Sequence, residues 1–256
     1  MAGKFMAGFG VALRETGQAL DRMGCRLSGS YAFKETLNRH RTVMNYEGHV
    51  PSVSVTAFVA PSASVIGNVK IGANSSIWYG TTLRGDVNSI TVGSDTNIQD
   101  NSIVHVAKDN MKGVEMPVTI GDRVTIGHGA TLHGCTVMND SFIGMGAVLM
   151  DGSTVESGAM VAAGALVTAG SIVPSGQIWA GNPAKMLRKL TEGEASFFAK
   201  SAENYAALGR AHLAENSKSW EQVAEEKDMR KANRERDSDY DSHLGVKRPI
   251  TSSLPA

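Results

Sequence analysis

Three of the seven histidines stand close together in the chain, at His105, His128 and His133. Three imidazole ligands, with a fourth position left open for water or substrate, are typical of a catalytic zinc site. The hypothesis of such a site depends on whether the fold brings these three rings together. We interpret the other four as surface or hydrogen-bonded residues: His40, His49, His212 and His243.

The chain around these histidines repeats every six residues. Small aliphatic residues recur at this interval in three runs, which start at Val59, Val92 and Ile120, and the last run has one five-residue step from Leu132 to Val137. A helix repeats its face at three and four residues and a simple strand at two, so a period of six predicts short strands joined by tight bends. Three such strands per coil form a β-solenoid that is closed except at its ends. The repeated positions are Val59, Val65, Ile71, Ile77, Leu83, Val92, Ile98, Val104, Ile120, Ile126, Leu132, Val137, Ile143, Leu149, Val155, Val161, Val167, Val173 and Trp179.

Glycine follows an aliphatic residue at six places in the repeat. We attribute this pattern to bends that need a positive φ, which Gly, Asn and Asp tolerate. The six positions are Gly67, Gly72, Gly93, Gly121, Gly127 and Gly144.

The composition fits a solenoid and argues against several classes of function. The chain has 256 residues, 28 glycines and 6% aromatic residues, and its formal net charge is zero. A neutral chain gives no indication of nucleic-acid binding, and no apolar stretch is long enough to cross a bilayer. Cys25 and Cys135 lie far apart, so we expect no disulfide framework. Cys135 is close to one of the histidines, but a buried thiol is a more typical role than a ligand.

The repeat also predicts where the three histidines lie. His105 and His133 each follow an inward aliphatic residue, so they hold the same position within their hexads. If the irregular stretch 107–117 extrudes about ten residues, about eighteen remain between them, which is one full coil, and the two rings stack. His128 falls on another face, because extended chain separates it from His133. A threefold assembly would bring His128 of one chain to the histidine pair of its neighbour.

Other polar residues accompany these positions. Arg84 and Asp86 lie on one edge of the solenoid and form either an ion pair between subunits or a plain surface pair. Gln99 and Asp100 precede the first of the three histidines by about one hexad. They either orient a metal-bound water or cap a turn.

Residues 1–45 precede the solenoid and form a basic arm, with seven Lys or Arg against three Asp or Glu. Its apolar residues fall at or near helical spacing, which predicts an amphipathic helix that docks on a partner or on a membrane surface. The alternatives are a helix that packs on its own solenoid and a mitochondrial targeting sequence, since the first fourteen residues contain no acid. The apolar residues are Phe5, Phe9, Leu13, Leu20 and Met23.

Two segments follow the solenoid, which we assign to residues 46–190. Thr191 and Glu194 resemble a capping box and predict a helix over 191–217, and an apolar stripe indicates that this helix lies back along the solenoid. The charge-rich residues 218–256 predict a solvated helix or an extended tail that wraps a neighbour. The stripe consists of Phe197, Phe198, Ala202, Tyr205, Leu208, His212 and Leu213.

Several motifs of the repeat together resemble the γ-class carbonic anhydrases. The resemblance covers roughly residues 50–215, and it implies a left-handed parallel β-helix that trimerises and binds Zn²⁺ between subunits. It implies that His105 and His133 come from one chain and His128 from the next. It also implies that Arg84 and Asp86 pair between subunits, while Gln99 hydrogen-bonds the zinc-bound hydroxide. The motifs are Leu83-Arg-Gly-Asp86, Asn97-Ile-Gln-Asp-Asn101, Ile103-Val-His105, Ile126-Gly-His128, Leu132-His-Gly-Cys135 and Phe142-Ile-Gly-Met-Gly146.

The N-terminal arm resembles that of one particular group within this family. Arg14–Leu27 and Arg39–Met44 are similar to the arm of the γ-carbonic-anhydrase subunits of plant and green-algal mitochondrial complex I. This similarity implies a peripheral trimer on the matrix side of the mitochondrial inner membrane. Its partners would be the membrane-arm subunits of that complex and, in a mixed trimer, paralogous subunits.

The resemblance implies a reaction as well, the hydration of CO₂ to bicarbonate, for which Zn²⁺ lowers the pKa of bound water to about 7. The archetypal enzyme has proton-shuttling glutamates where this chain has Val87 and Lys108, so we expect weak or absent activity. Two hypotheses follow, an assembly subunit of complex I that retains a zinc site and a working carbonic anhydrase. A hexapeptide acyltransferase shares the solenoid but usually needs one catalytic histidine beside a coenzyme A groove, so we rank it third.

Overall fold

The structure, a computed structural model, describes residues 2–29, 40–109, 113–236, 240–241 and 246–247. Its contacts divide the chain into two compact units, residues 40–216 and residues 1–39 with 217–256. The larger unit is a parallel β-solenoid with one long helix, which confirms the predicted fold class.

The strands of the larger unit are short, and most contain two or three residues. In chain order they are β1 (Val43–Met44), β2 (Ser52–Val53), β3 (Phe58–Val59), β4 (Ser64–Ile71), β5 (Ser76–Ile77), β6 (Thr82–Val92), β7 (Asn97–Ile98), β8 (Ile103–His105), β9 (Ala107–Asp109), β10 (Glu115–Met116), β11 (Val118–Ile120), β12 (Thr125–Ile126), β13 (Thr131–His133), β14 (Thr136–Val137), β15 (Phe142–Ile143), β16 (Val148–Leu149), β17 (Thr154–Val155), β18 (Met160–Val161), β19 (Leu166–Val167), β20 (Ile172–Val173), β21 (Gln177–Ala180) and β22 (Lys185–Lys189).

These strands form three faces of a prism. The helix face is a sheet in the order β3-β5-β7-β12-β15-β18-β21-β22, parallel except for β22. The histidine face runs through the first halves of β4 and β6 and then through β8, β13, β16 and β19. The third face runs through β2, the second halves of β4 and β6, and then β11, β14, β17 and β20.

The six-residue period fills the core of the prism. The repeated aliphatic residues are buried, except that Val59 and Trp179 at the two ends are partly buried. Adjacent coils pair these residues in register, so that Ile126 lies opposite Ile98 on one side and Ile143 on the other. Each fully buried aliphatic side chain stabilises the fold by roughly 1.5–3 kcal/mol relative to an exposed one.

The glycines that follow the aliphatic residues have a different role from the one that the sequence suggested. Of the six, only Gly67 has a positive φ, 76°. Positive φ recurs instead three residues after the aliphatic residue, as at Gly80 and Arg123. The other five are needed because coils approach closely: a Cβ on Gly144 would lie 2.3 Å from the backbone nitrogen of Ala163. The prediction that these five supply the bends is therefore wrong.

Helix α2, which follows the solenoid, lies along the helix face and contacts β3, β5, β7 and β12. Small residues line its buried side, and a Cβ on Gly209 would lie only 3.2 Å from the Cβ of Ser76. The predicted apolar stripe is therefore only partly buried, since Phe197 and Leu208 are exposed. The helix spans Glu192–Asn216 and buries Phe198, Ser201, Ala202, Ala206 and Gly209.

The predicted capping box is present at the start of α2. The backbone nitrogen of Thr191 donates to Glu194 Oε2 at 2.9 Å, and the backbone nitrogen of Glu194 donates to Thr191 Oγ1 at 3.3 Å. Arg188 donates to both carboxylate oxygens of Glu194, at 2.7 and 2.8 Å. The contact with Arg188, followed by those with Thr191, lowers the pKa of Glu194 from 4.5 to about 2.

We expect the substitution Glu194→Gln to lower the Tm at neutral pH and to lose this effect in acid. The folded-state pKa of Glu194 lies below its ordinary value, so its stabilisation is complete above pH 4.5 and disappears as the pH falls towards 2. Thermal denaturation at pH 7 and near pH 3 measures the difference. Glu203→Gln, which removes an exposed pair with Lys200, is the control. A Glu194→Gln deficit that is the same at both pH values would contradict the expectation.

The described residues of the smaller unit form two helices and a short antiparallel pair of strands. They are α1 (Ala2–Ser28), α3 (Trp220–Arg236), β23 (Tyr240–Asp241) and β24 (Val246–Lys247). The helix predicted in the N-terminal arm is thus confirmed. Its exposed apolar side chains recur at helical spacing and include Met6, Phe9, Leu13, Leu20, Met23 and Leu27. None of the described helices is both long enough and apolar enough to cross a membrane.

Parts of the two flanking segments lie outside the described residues. In the basic arm these are Met1, residues 30–39, which include Lys34 and Arg39, and the side chains of residues 2–5 and 7. In the C-terminal extension they are residues 237–239, 242–245 and 248–256, and His243 is among them.

Candidate metal centre

His105 and His133 lie side by side on the histidine face. Strands β8 and β13 pair in parallel so that His133 is directly opposite His105, and the ring centroids are 5.0 Å apart. The predicted register is confirmed. It arises because β9 and β10 leave the coil as an antiparallel pair between the two histidines; residues 110–112 of this excursion lie outside the described residues.

Each ring of this pair contacts a carboxylate. His105 Nε2 donates to Asp86 Oδ1 across 3.0 Å, and His133 Nδ1 donates to Asp151 Oδ1. Asp151 was not among the predicted site residues. It follows His133 by eighteen residues, one more than the offset at which β16 pairs with β13, and this near-coil spacing was the signal that could have identified it.

Arg84 completes a chain of polar contacts on the same face. It lies opposite His105 in the adjacent strand, and its guanidinium donates to the carboxylate of Asp86. Arg84 and Asp86 therefore form an ion pair within one chain, and Asp86 links it to His105. Whether the pair also spans two subunits stays a prediction.

The electrostatics favour a neutral imidazole at His105. Burial lowers its pKa, and the opposing contact with Asp86 does not restore the ordinary value. Burial by itself raises the pKa of Asp86, but the hydrogen bonds from His105 and Arg84 outweigh it and the pKa is lowered. A neutral imidazole is the form that binds a metal ion.

His128 lies at the corner between the helix face and the histidine face, in the turn between β12 and β13. Its Nδ1 donates to Asp100 Oδ2 across 2.8 Å, so Asp100 contacts a histidine ring in the next coil. In the part of the chain that the structure describes, no three His, Cys, Asp or Glu side chains are grouped closely enough to hold a metal ion. His128 does not join the His105–His133 pair of its own chain.

Gln99 lies beneath α2 on the helix face and is 5% exposed. Its Nε2 donates to Asn97 Oδ1 at 3.0 Å, and Asn97 donates to Thr125 Oγ1 at 2.9 Å. Tyr205 of α2 also hydrogen-bonds Gln99, and burial raises the pKa of Tyr205. Gln99 thus belongs to a polar network that joins the solenoid to α2. Gln99 was predicted to orient a metal-bound water. Such a water would belong to the site that His128 helps to form, and this role stays a prediction.

Cys135, His40 and His212 have the ordinary roles that the sequence suggested. Cys135 is buried, and burial raises the pKa of its thiol to about 12. His40 Nε2 donates to the carbonyl oxygen of Ala63 at 2.8 Å, and His212 Nδ1 lies 3.0 Å from the hydroxyl of Tyr79.

The donor set of the histidine face fits zinc. Two adjacent imidazoles, each oriented by a carboxylate, provide two of the nitrogen ligands and the surrounding contacts that are typical of zinc sites. Among the described residues of its own chain the pair has no third ligand, and His128 presents a further carboxylate-oriented imidazole at a different corner of the prism. This arrangement can hold a metal ion if two copies of the chain meet at these surfaces.

Known proteins resemble the chain along nearly its whole length. The model of the Gamma carbonic anhydrase 1, mitochondrial C-terminal domain matches residues 195–255, and that of the hexapeptide repeat of succinyl-transferase matches 117–150 and 139–169. Gamma carbonic anhydrase 1, mitochondrial, of Arabidopsis thaliana is 58% identical over 98% of this chain and 92% of its own length. Gamma carbonic anhydrase 2, mitochondrial, of the same species is 56% identical over 94% of this chain and 87% of its own.

A solved structure shares the solenoid. The crystal structure of a hexapeptide transferase family protein from Anaplasma phagocytophilum superposes with a TM-score of 0.63 at 52% sequence identity. The match covers 66% of this chain and 97% of that one.

Proposed function

The chain belongs to the γ-class carbonic anhydrases, and from this membership we propose that it is a zinc-binding subunit of mitochondrial complex I, the NADH:ubiquinone oxidoreductase. It forms a trimer on the matrix side of the inner membrane and has an assembly or structural role. The observation that carries the zinc site is the adjacent pair of His105 and His133, each in contact with an aspartate. The mitochondrial names of the Arabidopsis thaliana relatives support the location.

Exposed apolar residues around the histidine pair support a subunit interface there. Ile103 begins the strand that carries His105, and Met150 follows the strand that pairs with β13. Both are exposed, as is Met145 in the coil next to His128. Apolar groups exposed beside a polar site are typical of protein interfaces. A threefold interface would bring His128 of the partner subunit to the pair. The trimer is either homomeric or mixed with paralogous subunits.

The helix α1 provides the contact with the respiratory complex. Apart from Val11, its large exposed apolar side chains lie along one stripe, and the described part of the arm carries Arg14, Arg22 and Arg26. An amphipathic basic helix of this kind binds an apolar groove or a membrane surface. We assign α1 to docking on membrane-arm subunits of complex I and on the lipid surface beside them.

The site residues have different roles in such a zinc centre. His105, His133 and His128 of the partner subunit would hold Zn²⁺, which supplies the Lewis acidity that lowers the pKa of water to about 7. Arg84 holds Asp86 against His105 and thereby orients that ring. Gln99 would hydrogen-bond a water molecule at the adjoining site.

A working carbonic anhydrase that interconverts CO₂ and bicarbonate is the second candidate function, because all three histidines are present. The residues near the site argue against rapid turnover. Val87 is exposed directly after Asp86, and Lys108 lies on the neighbouring strand β9, to which Asn88 donates hydrogen bonds. Neither position carries a carboxylate or an imidazole, the groups that most often transfer protons in enzymes.

We expect the zinc-loaded trimer to hydrate CO₂ slowly, and we expect the double substitution Val87→Glu and Lys108→Glu to raise the rate by about tenfold or more, as an added proton-transfer group does. Stopped-flow measurement of CO₂ hydration provides the test. Val55→Glu, at a fully exposed valine in the first coil, is the control and should leave the rate unchanged. Rapid hydration by the unmodified trimer would show that a shuttle exists elsewhere.

Native purification tests the assignment to complex I. The chain should comigrate with NADH:ubiquinone oxidoreductase activity from mitochondrial membranes and contain bound zinc, and removal of residues 2–28 should release it. A chain that stays free of the complex would refute this assignment and leave the zinc site unaffected. Turnover of acetyl-coenzyme A with an amine or hydroxyl acceptor would instead favour the acyltransferase class.

A further inference from the structure

Two of the three histidines hold an aspartate through the same ring nitrogen, Nδ1. We infer that Asp151 and Asp100 are positioning residues that make Nε2 the metal-binding nitrogen of His133 and His128. The inference rests on the proposed zinc site and adds to it the identity of two ligand atoms.

Asp151 reaches His133 from the next coil. His133 ends β13 and Asp151 follows β16 by two residues, and the pairing of these strands brings the two side chains together. The residue after His133 leaves room for this contact, since a Cβ on Gly134 would lie 2.9 Å from Asp151 Oδ1. The backbone nitrogen of Gly152 donates to the carbonyl oxygen of Gly134 at 2.7 Å and holds the two turns together.

Asp100 reaches His128 from the preceding coil. The pairing of β7 with β12 sets the register of the two turns, and the backbone nitrogen of Gly129 donates to the carbonyl oxygen of Asp100 at 2.8 Å. The carboxylate then accepts from His128 Nδ1 at 2.8 Å. Both partners are partly exposed, so water screens the charge of the carboxylate and its main effect is on the orientation and tautomer of the ring.

The chemistry of the contact determines which nitrogen is left for the metal. An ionised carboxylate only accepts hydrogen bonds, so the nitrogen that faces it carries the proton. A neutral imidazole then has its lone pair on the other nitrogen, Nε2, at both His128 and His133. His105 differs, because its Nε2 contacts Asp86. Loss of a group that orients a ligand in this way typically lowers metal affinity by about 10–100-fold.

The test compares Asp151→Ala with Asp151→Asn in the full-length trimer. Long-range ¹H–¹⁵N NMR of the metal-free protein reports the tautomer of His133, and competition with a chromophoric chelator gives the zinc affinity. We expect His133 to carry its proton on Nδ1 in the wild type and to become a tautomer mixture in Asp151→Ala, with zinc binding weaker by about 10–100-fold. The amide oxygen of Asp151→Asn still accepts a hydrogen bond, so this variant should keep the tautomer and recover most of the affinity.

A matched control is Asp140→Asn, which weakens an exposed pair with Arg123 at a corner that contains none of the three histidines and keeps a residue that tolerates the positive φ of 58°. This substitution should change neither the tautomer of His133 nor the zinc affinity. A wild-type proton on Nε2, or zinc binding by Asp151→Ala within twofold of wild type, would overturn the inference. A wild-type trimer that carries the proton on Nδ1 but binds no zinc would refute the proposed metal site, and with it the role of Nε2 as a ligand.

Discussion

Neither a His128→Ala chain nor a His133→Ala chain should retain stoichiometric zinc when expressed alone, but a trimer population assembled from both at equal amounts should recover about a quarter of the wild-type sites. The reason is that the proposed site takes His105 and His133 from one chain and His128 from the next. Each variant alone lacks one ligand at all three interfaces.

Mixed trimers restore one complete site each. In a ring of three chains that contains both variants, one interface joins an intact His105–His133 pair to an intact His128. Random mixing at equal amounts makes about three quarters of the trimers mixed, so the average recovery is about one site in four. Zinc analysis of the purified trimers, with native mass spectrometry to count the chains, measures it.

The same experiment separates an intersubunit site from its alternatives. A site built within one chain gives no recovery on mixing, because every chain still lacks a ligand. A chain that binds zinc through His105 and His133 alone would keep its metal in the His128→Ala variant. His49→Ala, at an exposed histidine in the first coil, should bind zinc like the wild type.

The sequence predicts the register of this site well because the solenoid converts spacing into position. A period of six determines which residues point inward, so the equivalent places of His105 and His133 follow from the repeat alone. The excursion between the two histidines could be predicted because the six-residue repeat is interrupted there. The β9–β10 pair fills that break as expected.

The contacts between coils were harder to predict. Asp151 and Asp100 meet their histidines through turns whose conformations depend on the coils above and below. The buried side of α2 was also misplaced in part, because small residues such as Gly209 permit close packing that a search for large apolar residues overlooks. The spacing of residues in the sequence predicts which way each side chain of a strand points. The contacts between coils depend in addition on the distance between the coils, which the spacing does not give.

The glycine that follows the aliphatic residue tests this account of packing between coils. We expect Gly144→Ala to lower the free energy of unfolding by about 3 kcal/mol or more, at the upper end of the range for overpacking. The added Cβ would lie 2.3 Å from the backbone nitrogen of Ala163 and 2.6 Å from the backbone carbonyl carbon of Ala162. Backbone atoms cannot rotate away as the end of a side chain can, so the coils must separate and break their ladder hydrogen bonds. Denaturant unfolding followed by circular dichroism measures the loss.

A control at a glycine of the other kind separates crowding from backbone strain. Gly164 has a φ of 67° and no atom within 4 Å of an added Cβ. Asparagine tolerates this conformation, so Gly164→Asn should change the free energy of unfolding by less than about 1 kcal/mol. If Gly144→Ala is as stable as the control, the coils can accommodate the added Cβ despite its distance of 2.3 Å from the backbone nitrogen of Ala163, and the account is wrong. A large loss at Gly144 alone would show that stacking of coils, and not the bend, selects glycine after the inward aliphatic residue.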